Sequence, residues 1–273
     1  MSTLKIENLH VEVEGKQILK GVTVSISEGE TVALLGPNGH GKSTLLNVIM
    51  GHPRYAITEG KIYFNDVDIT NLSTDERARL GLFLALQNPP EVPGVINSDF
   101  LRAAVNARRE EHLSTYKFYK LLDSAIKEVK MPFDLATRSL NEGFSGGEKK
   151  RNEILQMLLL EPKIAMLDEI DSGLDVDAIQ VVADVIRKEQ AKGRGFLVIS
   201  HYARLFDLIQ PTRAIVMING KVVLDGGVDL IKRIDQTGYE FIKTELGIEI
   251  EKEETNMNQT SIGTCAVKET IKK

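Results

Sequence analysis

Cysteine and tryptophan are scarce in this sequence. Of its 273 residues only Cys265 is a cysteine, and there is no tryptophan. A single thiol cannot form an internal disulfide or a metal site built from several cysteines. Long apolar runs are also missing, because the most apolar stretches, 80–86 and 154–160, are far shorter than the roughly 20 residues that span a bilayer. We therefore expect no disulfide framework and no direct membrane insertion.

An excess of basic residues is missing as well. The formal net charge is −5 and the isoelectric point is about 5.7. Proteins that bind nucleic acid usually carry a positive surplus that neutralises phosphates, so we expect no nucleic acid partner. Residues 1–7 show no basic stretch followed by an apolar one, as a secretory signal would. We expect a cytoplasmic protein, or one of an organellar stroma if a transit peptide has been removed.

The order of patterns along the chain predicts an α/β fold. Alternating residues predict strands within 3–35, and continuous apolar runs at 31–35, 164–167 and 196–199 predict buried strands. Helical patterns follow at 42–50, across most of 99–160, at 176–189 and at 203–209, and Asn219-Gly220 predicts a hairpin. A mixed sheet with helices on its faces suits this order. Residues 248–273 are mostly polar, and we expect a mobile tail there.

A phosphate-binding loop follows the first buried strand. The run Gly36-Pro37-Asn38-Gly39-His40-Gly41-Lys42-Ser43, followed by Thr44, matches G-x-x-x-x-G-K-[ST] at every fixed position. Glycines let backbone N–H groups surround a phosphate, and the helix that follows adds its positive end. Lys42 can reach the β- and γ-phosphates, and the Ser43 hydroxyl can hold Mg²⁺. The sequence therefore predicts that ATP and Mg²⁺ bind here.

Two acids end a later apolar strand. Asp168 and Glu169 follow the run 164–167, and ligands of parallel sheets gather at the carboxyl ends of the strands. We expect Asp168 to bind Mg²⁺, directly or through water, and Glu169 to polarise the attacking water as a general base.

Four further segments, together with these two, resemble the ordered motifs of ABC ATPases. Phe144-Ser145-Gly146-Gly147-Glu148 resembles the signature loop, and Ser172-Gly173-Leu174-Asp175 resembles the D-loop. His201 resembles the switch histidine, and Gln87 the Q-loop glutamine. The resemblance covers about 3–247. It implies a P-loop NTPase domain with a mixed β-sheet core, an antiparallel β subdomain and a helical subdomain at about 88–160.

The resemblance also implies a division of labour between two copies. ABC ATPases act as ATP-dependent dimers in which one copy's phosphate loop and the other's signature loop hold each nucleotide. Ser145, Gly146 and Gly147 would then reach the γ-phosphate from a helix start, with Asp175 nearby. Catalysis would fall to Lys42, Glu169 and His201, and Gln87 would contact Mg²⁺ or the water.

Details of the motifs resemble the SufC family, the ATPases of the SUF iron–sulfur cluster assembly system. Ile170 stands where transporter subunits usually have proline, and a charged run, 149–153, follows the signature. The proline-rich segment 87–97 and Met131-Pro132 agree with this family. The resemblance implies that the chain drives a scaffold of SufB and SufD, with 87–97 and the helices after it as the docking surface. The alternative is the energy-coupling ATPase subunit of a membrane ABC transporter.

Two positions depart from the usual ABC pattern. An aromatic residue normally stacks on adenine, whereas Val11 and Val13 occupy the plausible positions here, so we expect weak base discrimination. His40 stands where a small residue is usual, and we expect its side chain to face solvent, although a pH-sensitive charge near phosphate is the other possibility.

Overall fold

The computed structural model describes residues 1–251, which form twelve strands and nine α-helices within that part of the chain. The strands are β1 (Thr3–Val13), β2 (Lys16–Ser27), β3 (Thr31–Leu35), β4 (Ala56–Phe64), β5 (Val67–Asp68), β6 (Leu82–Ala85), β7 (Val92–Ile96), β8 (Ser139–Leu140), β9 (Ile164–Asp168), β10 (Gly195–Ile199), β11 (Arg213–Ile218) and β12 (Lys221–Gly226). The helices are α1 (Lys42–Ile49), α2 (Thr74–Leu80), α3 (Asn97–Asn106), α4 (Thr115–Glu128), α5 (Gly146–Leu160), α6 (Val176–Ala191), α7 (Ala203–Ile209), α8 (Asp229–Thr237) and α9 (Glu240–Leu246), with a 3₁₀ turn at Phe133–Ala136.

A six-stranded mixed sheet forms the centre of the molecule. Its strand order is β12-β11-β3-β10-β9-β6, in which only the β11–β12 pair is antiparallel. Every residue of β3, β9 and β10 is buried. Helices cover one face of these continuous apolar strands, and α1 with the antiparallel strands β1, β2 and β4 covers the other. The predicted mixed sheet is confirmed, and the predicted bounds of β3 and α7 match those observed.

An antiparallel sheet packs against one side of this core. Its order is β2-β1-β4-β5, with a turn at Asn65-Asp66 between β4 and β5. Alternate residues of β1 and β2 are buried with α1 in a second apolar cluster, as the alternating sequence predicts.

The segment between β6 and β9 is mostly helical. Helices α3, α4 and α5 pack around Phe118, Leu122 and Leu155 in the larger apolar cluster. Part of the proline-rich segment 87–97 is strand β7, which pairs with β8. Helices α8 and α9 were not expected; they cover the larger cluster through Ile231, Phe241 and Ile242.

The expected polar tail lies almost wholly outside the described residues. Of 248–273, only 248–251 are described, and there Ile248 and Ile250 pack against the larger cluster. The Asn219 side chain donates to the Glu249 carbonyl and accepts from the Glu251 N–H. Within residues 1–251, no helix combines the length and apolar character needed to cross a bilayer.

Candidate nucleotide site

A cleft of about 480 Å³ opens at the carboxyl edge of the central sheet. Four neighbouring strands, β3, β10, β9 and β6, end at this edge, and the residues that follow them come from four separate sequence motifs. The lining residues are Ile18, Asn38, Gly39, Gly41, Lys42, Ser43, Thr44, Gln87, Glu169 and His201. All except Ile18 were predicted site residues, so parallel strands bring together residues far apart in sequence.

The phosphate loop, 36–43, turns sharply between β3 and α1. Gly36 has φ 148°, and a Cβ there would lie 2.1 Å from the Met217 carbonyl oxygen, so only glycine fits. Gly41 caps α1 with φ 96°. The Lys42 Nζ donates to the carbonyls of Gly36 (2.7 Å) and Pro37 (2.8 Å). The loop therefore holds its lysine among its own backbone oxygens at the base of the cleft.

Ser43 and Asp168 meet beside the phosphate loop. The Ser43 hydroxyl donates to Asp168 Oδ1 at 3.1 Å, and the carboxylate is buried. Burial raises the pKa of Asp168 above its ordinary value, with the nearby Glu169 charge acting in the same direction. A buried carboxylate beside a hydroxyl is a set of hard oxygen donors of the kind that Mg²⁺ prefers, and a cation there would offset the cost of burying the charge. The residues present fit Mg²⁺.

Glu169 lies between two polar side chains. Gln87 Nε2 donates to its Oε2 at 2.7 Å, and His201 Nε2 lies 3.0 Å from its Oε1. The backbone of Glu169 has φ 48°, a left-handed conformation uncommon for a residue other than glycine. That conformation turns the carboxylate out of the strand direction of β9 and into the cleft. The three predicted residues thus form one hydrogen-bonded set.

His40 does not face solvent, so that prediction is wrong. Its side chain is only 6% exposed. Its Nδ1 accepts from the Asn219 N–H at 2.8 Å, and its carbonyl accepts from the Gly220 N–H. Burial, and then the nearby Lys42 charge, lower the pKa of His40. The β11–β12 hairpin covers the tip of the phosphate loop, which no local sequence signal could indicate.

The adenine positions also differ from expectation. Val11 is fully buried in the core of the antiparallel sheet and cannot stack on a base. Ile18 lines the cleft instead. The Ile18 side chain is aliphatic and offers a base no aromatic ring.

Ser145, Gly146 and Asp175 are exposed and Gly147 is half-buried, and none of the four lines this cleft. Ser145 caps α5: its N–H and hydroxyl donate to the Glu148 carboxylate, and its oxygen accepts from the Glu148 N–H. This bonding lowers the pKa of Glu148. Asp175 similarly caps α6 by accepting from the Ala178 N–H at 2.7 Å. One chain therefore brings together the phosphate loop, Gln87, Asp168, Glu169 and His201, and leaves Ser145, Gly146, Gly147 and Asp175 apart.

Sequence reasoning missed two contacts that shape the site. The Tyr239 hydroxyl accepts from the Gly36 N–H at 2.9 Å, which fixes the start of the phosphate loop. The Ser200 hydroxyl donates to the buried Asp171 carboxylate, whose pKa burial raises. That bond joins the segments carrying His201 and Glu169. The acidic run 168–171 could have indicated Asp171, whereas nothing in the sequence indicates Tyr239.

Comparison with known proteins identifies the family. A family model described as "ABC transporter" matches residues 19–172. "Vegetative protein 296" of Bacillus subtilis is 54% identical over 252 residues, which cover 92% of this chain and 97% of that protein. A "Probable ABC transporter ATP-binding protein" of Streptococcus pyogenes is 51% identical, covering 93% and 100%. A "Probable ATP-dependent transporter" of Synechocystis is 49% identical, covering 89% and 96%.

Solved structures agree with this result. The structure of an ATP-binding subunit of an ABC transporter has a TM-score of 0.75 at 26% identity, covering 90% of this chain and 99% of that chain. The dimeric structure of a bacterial ABC transporter cassette has a TM-score of 0.73 at 23% identity, covering 82% and 98%, which supports the fold alone. The chain belongs to the ABC transporter family and is an ATP-binding, ATP-hydrolysing subunit of that family.

Proposed function

We propose that two copies of this chain close head-to-tail over two molecules of Mg·ATP, and that this closure drives a soluble scaffold in iron–sulfur cluster assembly. The observation that carries the dimer is the separation of the two halves of the site. Lys42, Glu169 and His201 share one cleft, whereas Ser145 is exposed at a different helix start. A helix N-terminus with adjacent glycines is suited to a phosphate, and a second copy can bring one to the cleft.

In this proposal the phosphate loop holds the β- and γ-phosphates. Lys42 exchanges its bonds to the carbonyls of Gly36 and Pro37 for bonds to these phosphates. Ser43, Asp168 and Gln87 would hold Mg²⁺, which neutralises charge on the phosphate oxygens when bound. Glu169 accepts a proton from the attacking water as general base. His201 fixes the Glu169 carboxylate and reaches toward the γ-phosphate. Ser145, Gly146 and Gly147 of the second copy, with its Asp175, complete the site.

The scaffold we propose is the SufB–SufD type, with the chain working in the cytoplasm. The support is the set of motifs that resemble the SufC family. Ile170 stands after the base and is fully buried, and the charged run 149–153 follows the signature. Near the segment 87–97, exposed apolar side chains at Val95, Ile96 and Tyr116 offer a docking surface. Among the described residues no group of three or more His, Cys, Asp or Glu is arranged to hold a metal ion, so the cluster would be built on the partner.

The alternative is an energy-coupling subunit of a membrane transporter, which the names of the Streptococcus and Synechocystis relatives favour. Affinity purification of the full-length chain from native extract, followed by identification of bound proteins, separates the two. We expect SufB- and SufD-type scaffold proteins at near-equal amounts. Recovery of a membrane permease instead would replace our proposal with the alternative.

A further inference from the structure

The charged run after the signature is largely buried. Lys150 and Glu153 are each 4% exposed, and Asn152 is fully buried. Charged side chains are rarely buried without partners, because losing hydration is costly. All three lie in the first two turns of α5, directly after the signature segment 144–148. Their burial therefore implies specific hydrogen-bond partners.

Lys150 and Glu153 hold the backbone that leads to Gln87. Lys150 Nζ donates to the carbonyls of Leu86 (3.2 Å) and Gln87 (2.6 Å), and Glu153 Oε2 accepts from the Leu86 N–H at 2.9 Å. Leu86 lies just beyond the last pair of the β6–β9 ladder, Ala85 with Leu167. Side chains of α5 thus replace the sheet as partners for these backbone groups. The Lys150 bonds are charge-assisted and so stronger than neutral ones, whereas burial raises the pKa of Glu153 to about 7.

The next residues are attached to the same helix. Lys149 Nζ lies 2.7 Å from the Glu91 carboxylate. Asn152 Nδ2 donates to Asn141 Oδ1 at 2.9 Å, and Asn141 Nδ2 donates to the Pro90 carbonyl at 2.9 Å. The segment 86–91, here called the glutamine segment, is therefore fixed to α5 at both of its ends.

We propose that Lys150 and Glu153 are positioning residues for ATP hydrolysis: they clamp the glutamine segment to the signature helix and so set the place of the Gln87 amide against Glu169. The connection is continuous, because the Gln87 side chain donates to Glu169 at 2.7 Å. Ser145 is the N-cap of the same helix. The clamp therefore links Gln87, which lies at the nucleotide of its own copy, to the signature segment that contacts the nucleotide of the other copy. The inference rests on the role proposed above for Gln87.

The test measures kcat, KM and ATP affinity of the full-length chain. Lys150→Met keeps the length of the stem and removes the donors; Glu153→Leu removes the acceptor. We expect kcat to fall about tenfold or more in each, because small misplacements at a reacting centre are costly, while ATP affinity stays unchanged. Lys150→Arg and Glu153→Gln keep a donor and an acceptor and should restore most of the rate. If Glu153→Leu fails to fold, Lys150→Met with its rescue decides.

Arg151→Met is the matched control. Arg151 belongs to the same charged run but donates to the Lys130 carbonyl, and within residues 1–251 it makes no hydrogen bond to the glutamine segment. This variant should keep wild-type kcat. An equal loss in Arg151→Met and Lys150→Met would overturn the clamp, because any change in this helix turn would then have the same effect.

A double-mutant cycle with Gln87→Ala separates the clamp from the role of Gln87 itself. If Lys150 acts through Gln87, Lys150→Met causes little further loss of kcat once Gln87 is alanine. A full additional loss shows a separate structural role and rejects the clamp. If Gln87→Ala alone leaves kcat unchanged, the role of Gln87 is wrong and the positioning proposal fails with it. If Gln87→Ala lowers kcat and Lys150→Met does not, only the clamp is wrong.

Discussion

The phosphate loop and the signature segment are built from the same parts but differ in what surrounds them. Each places glycines at the start of a helix, α1 or α5. Around the phosphate loop, side chains from three other strand ends converge on one cleft. Around the signature segment, the Ser145 side chain is bonded within its own capping box, and a Cβ added at Gly146 would meet nothing within 4 Å. One half-site is assembled within the chain, and the other is presented outward.

The difference has a physical origin. Four adjacent parallel strands fix the positions of the residues at their carboxyl ends, so the first half-site needs no partner. The signature hydroxyl is satisfied locally by Glu148, which keeps the exposed helix start stable in a single copy. Binding a phosphate there requires Ser145 to exchange this bond for one to the nucleotide. Each half can therefore be altered separately, and the predictions below use that separation.

Loss of the general base should have the largest effect. In Glu169→Gln the amide keeps the size of the side chain but accepts water protons poorly, so we expect hydrolysis to fall by about 10²- to 10⁴-fold. ATP affinity should be retained, since the substitution keeps the size of the side chain and leaves Lys42 and the phosphate loop unchanged. Phosphate release and calorimetric binding measure the two quantities. Undiminished hydrolysis would reject Glu169 as the base.

Loss of the phosphate-loop lysine should act on binding instead. In Lys42→Ala a charged donor to phosphate is removed, and we expect ATP affinity to fall about 10- to 100-fold. Lys149→Ala serves as the control. Lys149 lies on the signature helix and pairs with Glu91 of the glutamine segment, so its loss should leave the ATP affinity of a single copy unchanged. Equal affinities for wild type and Lys42→Ala would mean that the backbone of the loop alone holds the phosphates.

Mixing two inactive variants tests whether the halves meet across a dimer. Ser145→Arg blocks the signature segment, and Glu169→Gln disables the cleft; each should be inactive alone. In a mixed head-to-tail dimer one site carries both changes and the other carries neither. An equal mixture should therefore recover about one quarter of the wild-type rate, since about half of the dimers are mixed and each has one intact site.

A mixture as inactive as its components would contradict composite sites that work independently of each other, provided that both variants still bind ATP. The sites would then either work within one chain or require two intact copies at once. A mixture of Ser145→Arg with Lys42→Ala repeats the test with a different disabled cleft. It distinguishes these outcomes from a defect specific to Glu169→Gln.

The half-site assembled within the chain was predictable residue by residue. Its lysine, serine, acids, glutamine and histidine each follow an apolar strand, and parallel strand ends meet at one edge. Strand β3 and the residues around Glu169 show this most clearly, because the site residues lie where the predicted apolar strands end. The apolar pattern of the sequence indicates which strands are buried, and therefore where these ends meet.

Contacts that depend on distant packing could not be predicted. His40 is buried because the β11–β12 hairpin, about 180 residues later, lies over it through Asn219. Tyr239 reaches Gly36 from the turn between α8 and α9. Lys150 and Glu153 belong to the charged run that follows the signature in the sequence, and they are buried against the glutamine segment. In each case the partner is a backbone group, which every residue carries and no sequence pattern marks.

We expect the smallest effect, a change in stability, at His40. Its side chain supports the phosphate loop and not the signature segment, so a test there concerns only the half-site assembled within the chain. Its Nδ1 accepts from the Asn219 N–H, so the bond needs the neutral ring. Burial and Lys42 lower its pKa in the folded chain. As pH falls, His40 is therefore protonated at a higher pH in the unfolded chain than in the folded chain. The stabilising contribution of His40 is complete above its unfolded pKa of about 6.5 and is lost as pH falls through the folded value.

His40→Asn replaces Nδ1 with an amide oxygen that can accept the same N–H but does not titrate. We expect urea unfolding to give similar free energies of unfolding for wild type and His40→Asn at pH 7.5. Between pH 6.5 and 5.5 wild type should lose more stability than the variant. His112→Asn, at an exposed position, is the control and should follow wild type. Parallel losses in wild type and His40→Asn would show that the hairpin holds the phosphate loop without any contribution from the imidazole.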